Sequence, residues 1–279
     1  IFRRQFAQEM GLVIPSVRLR DSSSLNTNQY VIKIKGEEVA RGEILIDYYL
    51  ALEPPNTVGE IDGLEQIEPA LQAAKRANIP VIIIDAPVSD ESLVNCTIVS
   101  DNYDAGVQCA KDMMERLDSA NIVLLKHTTA KSAKERIEGF LSVIDNNEKY
   151  KVINEAECDG QLEIAMPKMQ EIIEETPDID VVMALIDPTA LGAFAAFAQN
   201  NTHDVMVYGI DGTPEIKALI GRNQMIVGTV AQSPIKMGQI AVENMYNILN
   251  GKKIEKNIII PISLINKENL FKYDEDRWQ

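Results

Sequence analysis

The sequence holds only two histidines, His127 and His203, and three cysteines, Cys96, Cys109 and Cys158, among 279 residues. Two imidazoles give little material for a histidine-based metal site or a Ser-His-Asp triad. The cysteines stand in no CxxC or zinc-type spacing, and their odd number excludes a fully paired disulfide framework while leaving room for one bridge. They are expected to be small buried apolar side chains. Aromatic residues are scarce, at 5%. No run of 18 apolar residues occurs, so no membrane-spanning helix is expected. Basic charge is also short, with 27 Lys and Arg against 42 Asp and Glu for a net charge of −15. That balance argues against a nucleic-acid partner, whose phosphates need clustered Lys and Arg, and is equally poor for an anionic membrane surface. The acidity is read as solubility. The chain starts at Ile1 without a charged, apolar, small-residue leader, which reads as a signal segment absent or already removed and leaves the compartment open.

What is present is ordinary globular material, 46% hydrophobic and 25% charged, in a chain long enough for two compact lobes. Ile1 to Glu53 carries seven basic and seven acidic residues, so the whole negative charge lies in the remainder. Glu53-Pro54-Pro55-Asn56 and Gly59 form a turn-rich boundary at that shift. Before it, Phe2 to Met10 has a helical pattern, while Val17 to Arg20 and Tyr30 to Lys35 alternate apolar and basic residues like strands. Ile44 to Leu52 fits a strand or a helix.

From Leu71 the rhythm becomes alternating helix and strand. Helices are expected over Leu71–Ala77, Asp104–Leu117, Ala130–Asn146, Leu162–Glu175, Thr189–Gln199, Pro214–Gly221 and Ser233–Leu249. Strands are expected over Val81–Asp85, Asn121–Leu125, Lys151–Glu155, Val181–Leu185, Val205–Ile210, Met225–Val230 and Ile258–Leu264. Uninterrupted Val, Ile and Met runs mark strands buried on both faces, so the sheets are expected to be parallel and covered by helices on both sides. Ligands of such α/β sheets bind beyond the carboxyl ends of the strands. That rule points to Asp85, to the segment after Leu125, and to Asp187, Asp211 and Gln232.

At these strand ends Ile79 to Asp85, Ser100-Asp101-Asn102 with Ala105-Gly106, Arg136 to Phe140, Tyr208 to Pro214, Thr229 to Pro234 and Ile260 to Asn269 follow one another over about 205 residues. In order and spacing these motifs resemble the periplasmic ribose- and simple-sugar-binding family. The resemblance implies a type I periplasmic-binding-protein-like α/β fold, with residues 71–104 and 236–262 as the remainder of lobe one and 105–235 as lobe two. It implies a solute receptor for a sugar or similar polyol, feeding an ABC transporter permease or a chemoreceptor, without catalysis and without cofactor or metal. The compartment it implies is periplasmic, or extracellular as a lipoprotein. It also makes Asp85, Arg136, Asp211 and Gln232 the sugar contacts.

The chemistry of those four fits a sugar independently. Hydroxyls both donate and accept, so a sugar pocket needs carboxylate acceptors and Arg or Gln donors. Each charged hydrogen bond to a hydroxyl contributes roughly 1.5–3 kcal/mol. Structural roles compete with this reading: Asp85 and Asp211 suit caps of the segments that follow, Arg136 a solvated helix face beside Lys134 and Glu135, and Gln232 a turn before Ser233-Pro234. An enzyme built on Asp85, Asp101, Asp187 and Asp211 is a weaker alternative, since no nucleophile elbow, P-loop, GxGxxG or metal cluster accompanies them.

Three positions depart from the family. Ile186 precedes Asp187 where an Asn is usual, Ile210 replaces a frequent aromatic, and Gly160 stands where another aromatic is expected. The loss of stacking rings weighs against specificity for ribose. The front departs further, because the strand–helix–strand–helix–strand unit that opens such proteins is absent. Instead Arg3-Arg4-Gln5, Glu9-Met10-Gly11, Ile14-Pro15, Arg18 to Asp21, Tyr30 to Gly36, Val39 to Glu43, Tyr49 to Leu52, and Glu60 to Gly63 through Ile67 to Pro69 form another series. That series resembles the first cytoplasmic subdomain of the large export-gate membrane protein of flagellar type III secretion. Residues 1–70 then read as an export-gate-like segment of different origin, strand-rich, joined near Pro69 to Leu71 in a natural or engineered chimera. For that segment the implied partners are export chaperones and the implied compartment is the cytoplasm. A DNA-binding repressor of the same fold would need a basic helix-turn-helix in front, which this neutral segment does not supply.

Overall fold

The computed structural model describes residues 29–34, 37–43, 67–176, 178–200 and 204–279. The chain divides into two units, Ile1–Glu53 and Pro54–Gln279. In the first, β1 (Gln29–Ile34) and β2 (Glu37–Glu43) pair antiparallel, with a register shift at Ile32/Lys33. The expected strand at Tyr30 is therefore present, and its partner β2 was not anticipated. The expected helix Phe2–Met10, strand Val17–Arg20 and element Ile44–Leu52 lie outside the described residues.

The first described elements of the second unit are α1 (Ile67–Arg76) and β3 (Ile82–Ile84). A further strand, β4 (Cys96–Ser100), has no counterpart in the sequence expectations. It is short, and its Thr and Ser blunt the apolar signal, yet it is the central strand of a three-stranded parallel sheet ordered β10-β4-β3. Helix α2 (Asn102–Arg116) then leads into a six-stranded sheet. Its elements in chain order are β5 (Ala120–Lys126), α3 (Lys131–Ile144), β6 (Tyr150–Glu157), α4 (Leu162–Glu175), β7 (Val181–Ala184), α5 (Asp187–Gln199), β8 (Met206–Asp211), α6 (Pro214–Arg222) and β9 (Ile226–Ala231). Helix α7 (Pro234–Leu249) returns to the small sheet, where Met237 and Ala241 pack on Cys96, Ile98 and Ile260.

β5, β6, β7, β8 and β9 pair parallel throughout; β5, β7, β8 and β9 are runs buried on both faces, while β6 is a largely exposed edge strand. All four residues of β7 are fully buried. One face of this sheet carries a core with Ala165, Met169, Ala193 and Phe197 from α4 and α5. The other carries Cys109, Met113, Phe140 and Ile144 from α2 and α3. The helices therefore cover both faces. All three cysteines are free and buried, as small apolar side chains.

The last expected strand, Ile258–Leu264, is corrected to two. β10 (Asn257–Ile260) belongs to the small sheet and β11 (Ser263–Asn266) to the large one. Pro261 between them offers no N–H to a ladder, so the chain leaves one sheet there and enters the other. β11 pairs antiparallel with β9, and among the described residues it is the one antiparallel edge of the second unit's two sheets. The chain thus passes between the two sheets at three places: Ser100–Asp101, Gln232–Ser233 and Pro261. Among the described residues no helix is long and apolar enough to cross a membrane.

Candidate functional site

Where the strand ends of the two sheets face each other, the structure has a cavity of about 1080 Å³. Asp85 lines it from the end of β3, Arg136 from α3, Asp211 from the end of β8 and Gln232 from the end of β9. Leu185, Ile186, Ile84 and Ile235 supply apolar wall.

The polar groups close into a ring. Ser100 Oγ donates to Gln232 Oε1 at 2.7 Å, and Gln232 Nε2 donates to Asp211 Oδ1 at 2.7 Å. Arg136 Nη2 stands 3.8 Å from the same Asp211 oxygen, an ion pair between side chains 6% and 11% exposed. Arg136 Nε donates to Asn102 Oδ1 at 3.0 Å, and Asn102 Nδ2 returns to the Ser100 carbonyl at 3.3 Å. Arg136 Nη1 also donates to the Leu185 carbonyl at 2.6 Å. The guanidinium is therefore aimed by two neutral acceptors as well as by one carboxylate. This is the arrangement in which Arg, with five donors in a rigid plane, does what Lys does not. A buried Arg136 is not the solvated surface charge that its neighbours Lys134 and Glu135 allowed.

Helix packing sets the position of Arg136. A Cβ on Gly106 of α2 would run into the Arg136 carbonyl, and one on Gly139 of α3 into the Tyr103 carbonyl. These reciprocal glycines let the two helix backbones touch, which draws α3 against α2 and brings Arg136 to Asn102.

The two acidic candidates share an unusual backbone. Asp85 has φ 74° and Asp211 has φ 141°, in a region that residues with a Cβ rarely adopt. Asn78, Asn146, Asp159 and Asp178 also have positive φ outside the cavity lining, a conformation that Asn and Asp adopt more readily than other residues with a Cβ. Burial raises the pKa of Asp211, while Arg136 and the Gln232 hydrogen bond act against the rise. Asp187 does not line the cavity. It is wholly buried beneath the site, where Oδ1 accepts from Thr229 Oγ1 at 2.7 Å and Oδ2 from the Thr213 amide at 2.8 Å. Burial first, and the Asp211 charge second, push its pKa up to about 7. Asp101 caps α2, accepting from the Asp104 amide at 3.0 Å. Asp187 and Asp101 are thereby taken up in bracing and capping. Among the described residues no group of three or more His, Cys, Asp and Glu is placed to hold a metal ion.

A profile of the periplasmic binding protein domain matches residues 60–253. The chain belongs to the periplasmic binding protein family. Similar to this family member is the ribose import binding protein RbsB of Bacillus subtilis (strain 168), 31% identical over 200 residues, covering 71% of this chain and 64% of that protein. The chain therefore spans a little under two thirds of that relative. A solved structure of similar fold is the periplasmic binding protein component of the arabinose ABC transporter from Shewanella sp. ANA-3, bound to α- and β-L-arabinofuranose. It is 26% identical with a TM-score of 0.69, and the match covers 75% of this chain and 72% of that one. The flagellar biosynthesis protein FlhA of Bacillus subtilis (strain 168) is also similar, 44% identical over 100 residues, covering 36% of this periplasmic binding protein and 14% of FlhA.

Sequence reasoning missed several residues of the site. Asn102 and Ser100 were visible only as parts of a motif, since nothing in spacing says that they face Arg136 and Gln232. His127 was visible only as the segment after Leu125; it lines the cavity, and a Cβ on Gly160 (φ 68°) would come within 3.2 Å of its Nδ1. Gly160, where an aromatic was expected, thus leaves its space to His127. Asp276, Arg277 and Trp278 of the C-terminal tail also line the cavity, and no periodicity announced them.

Proposed function

We propose that the chain is a receptor that binds a sugar or similar polyol between its two sheets, without catalysis, and delivers it to an ABC transporter permease or a chemoreceptor. The observation that carries this reading is the set Asp85, Arg136, Asp211 and Gln232 lining one cavity, the last three held from behind in a hydrogen-bonded ring with Ser100 and Asn102. It offers carboxylate acceptors and planar donors to hydroxyls, which is what a sugar needs. In this reading Asp85, Arg136, Asp211 and Gln232 are the polar contacts, residues 105–235 form lobe two, and residues 71–104 with 236–262 form what this chain has of lobe one. The compartment that suits it is periplasmic or extracellular. Relatives bearing names of ribose and arabinose binding support a small-sugar class, and Ile186, Ile210 and Gly160 weigh against ribose itself. A thermal-shift screen against pentoses, hexoses and polyols tests it. A ligand at a hundredfold its Kd stabilises by about 2.7 kcal/mol, whereas a flat response to every sugar defeats the reading.

A second reading concerns residues 1–70. The similarity to FlhA and the separate unit Ile1–Glu53 with its antiparallel hairpin support a chimera in which this segment is of export-gate origin. Its partners would then be flagellar export chaperones. Capture of such chaperones by the full chain, lost on deleting residues 1–53, supports that origin, and equal capture by both forms refutes it.

A further inference from the structure

The C-terminal tail is tied to the wall of the cavity by a buried cation. Lys217 of α6 is 0% exposed, and its ammonium donates to the Asp274 carbonyl at 2.5 Å and to the Arg277 carbonyl. An ammonium has three donors and is costly to bury without acceptors. Two of those acceptors are tail carbonyls, so the tail's path is coupled to the core through Lys217. Just upstream, Leu270 is buried in the core below α6 and Tyr273 packs against it. Beyond the clamp, Trp278 lines the cavity together with Asp211 and Arg136.

Trp278 is the sole tryptophan of the chain, and among the described residues no Phe or Tyr lines the cavity. The two positions of the large sheet where rings were expected hold Gly160, in a turn, and Ile210, within β8. A sugar has an apolar C–H face as well as hydroxyls, and an aromatic ring is the surface that matches that face. Trp278 is 43% exposed, so its ring has area left to cover.

We propose that the C-terminal tail is a built part of the ligand site, with Trp278 as the ring on which the apolar face of the sugar lies and Lys217 as the residue that positions it. The proposal rests on the sugar-receptor reading and names a specificity-determining residue for it.

A single tryptophan makes the test direct. The full chain is titrated with D-ribose, L-arabinose and myo-inositol, by calorimetry and by tryptophan fluorescence in parallel. A sugar that binds by calorimetry is expected to change the fluorescence saturably, with the same midpoint, and to shield the ring from acrylamide. Trp278→Ala is expected to weaken that sugar roughly tenfold or more, and Trp278→Phe to restore most of the loss. Lys217→Met is expected to lower affinity and raise acrylamide access even where circular dichroism shows a folded chain. Calorimetric binding with silent fluorescence, or with unchanged affinity in Trp278→Ala, overturns the role of the tail and leaves the receptor reading intact. Calorimetric silence for all three sugars in the unaltered chain counts against the receptor reading, and the proposal falls with it.

Discussion

Ser100 and Gln232, 132 positions apart, meet side chain to side chain at 2.7 Å. Ser100 ends the central strand of the small sheet, and Gln232 follows the end of β9 in the large one. Their hydrogen bond joins two of the three passages of the chain between the sheets, and through Gln232 it reaches Asp211. Ser100→Ala would leave Gln232 Oε1 without this donor. The expected cost is about 1 kcal/mol, or a fall of roughly 2–4 °C in Tm, read by thermal unfolding. An unchanged Tm would show that the bond contributes nothing between the sheets.

Asp211 gives the ring its negative charge, opposite Arg136, and in the proposed function accepts from two hydroxyls. Asp211→Ala is expected to weaken sugar binding by about ten- to a hundredfold, equivalent to roughly 1.5–3 kcal/mol, measured by calorimetry. Arg136 keeps its bonds to Asn102 and the Leu185 carbonyl in this variant, so the fold should persist. Tight binding that survives alanine at Arg136, Asp211 and Gln232 together would remove all three from the site.

Gly106 is where α2 and α3 touch, so Gly106→Ala tests how Arg136 is placed. The added methyl has nowhere to go but into the Arg136 carbonyl, and overpacking of this kind costs roughly 1–3 kcal/mol or more. Urea unfolding should show that loss, and sugar affinity should drop as α3 is pushed away from Asn102. Wild-type stability in the variant would show that the helices separate at no cost.

Asp187 predicts a pH dependence of stability. Its pKa rises from an ordinary 3.8 to about 7 in the folded protein. Between those values the folded state holds a proton that the unfolded chain has released, so stability falls as pH rises through this window. The raised pKa of Asp211 acts in the same direction. Asp187→Asn can still accept from the Thr213 amide and can offer an N–H to Thr229 Oγ1. Its stability between pH 4 and pH 7 should therefore decline less steeply than that of the unaltered chain, by chemical unfolding at several pH values. Parallel pH profiles for the two proteins would show that Asp187 carries no folded-state proton.

The local pattern of residues is enough to determine the alternation of helices and strands and the class of the fold. A run such as Val181-Val182-Met183-Ala184 has no polar face to turn to water, so between helical segments it reads as an inner parallel strand, which it is. The ends of such strands open on one crevice. Asp85, Asp211 and Gln232 could therefore be picked out as residues that follow apolar runs, before any contact was known. What only tertiary structure decided is which side chains meet and in what backbone conformation. Ser100–Gln232 and Arg136–Asn102 span 132 and 34 positions, and no periodicity links residues so distant. The positive φ of Asp85 and Asp211 is one that Asp tolerates better than most residues, but which Asp adopts it is settled by the surroundings. β4 and the divided last strand depend on partners: Cys96–Ser100 is a strand because β3 and β10 flank it, and Ile258–Leu264 is split because Pro261 falls where one sheet ends and another begins. Trp278 lines the cavity at the end of a tail whose Asp274 and Arg277 carbonyls accept from the buried Lys217, 57 and 60 positions away in sequence. Local sequence sets which residues seek burial, and long-range packing sets what they find there.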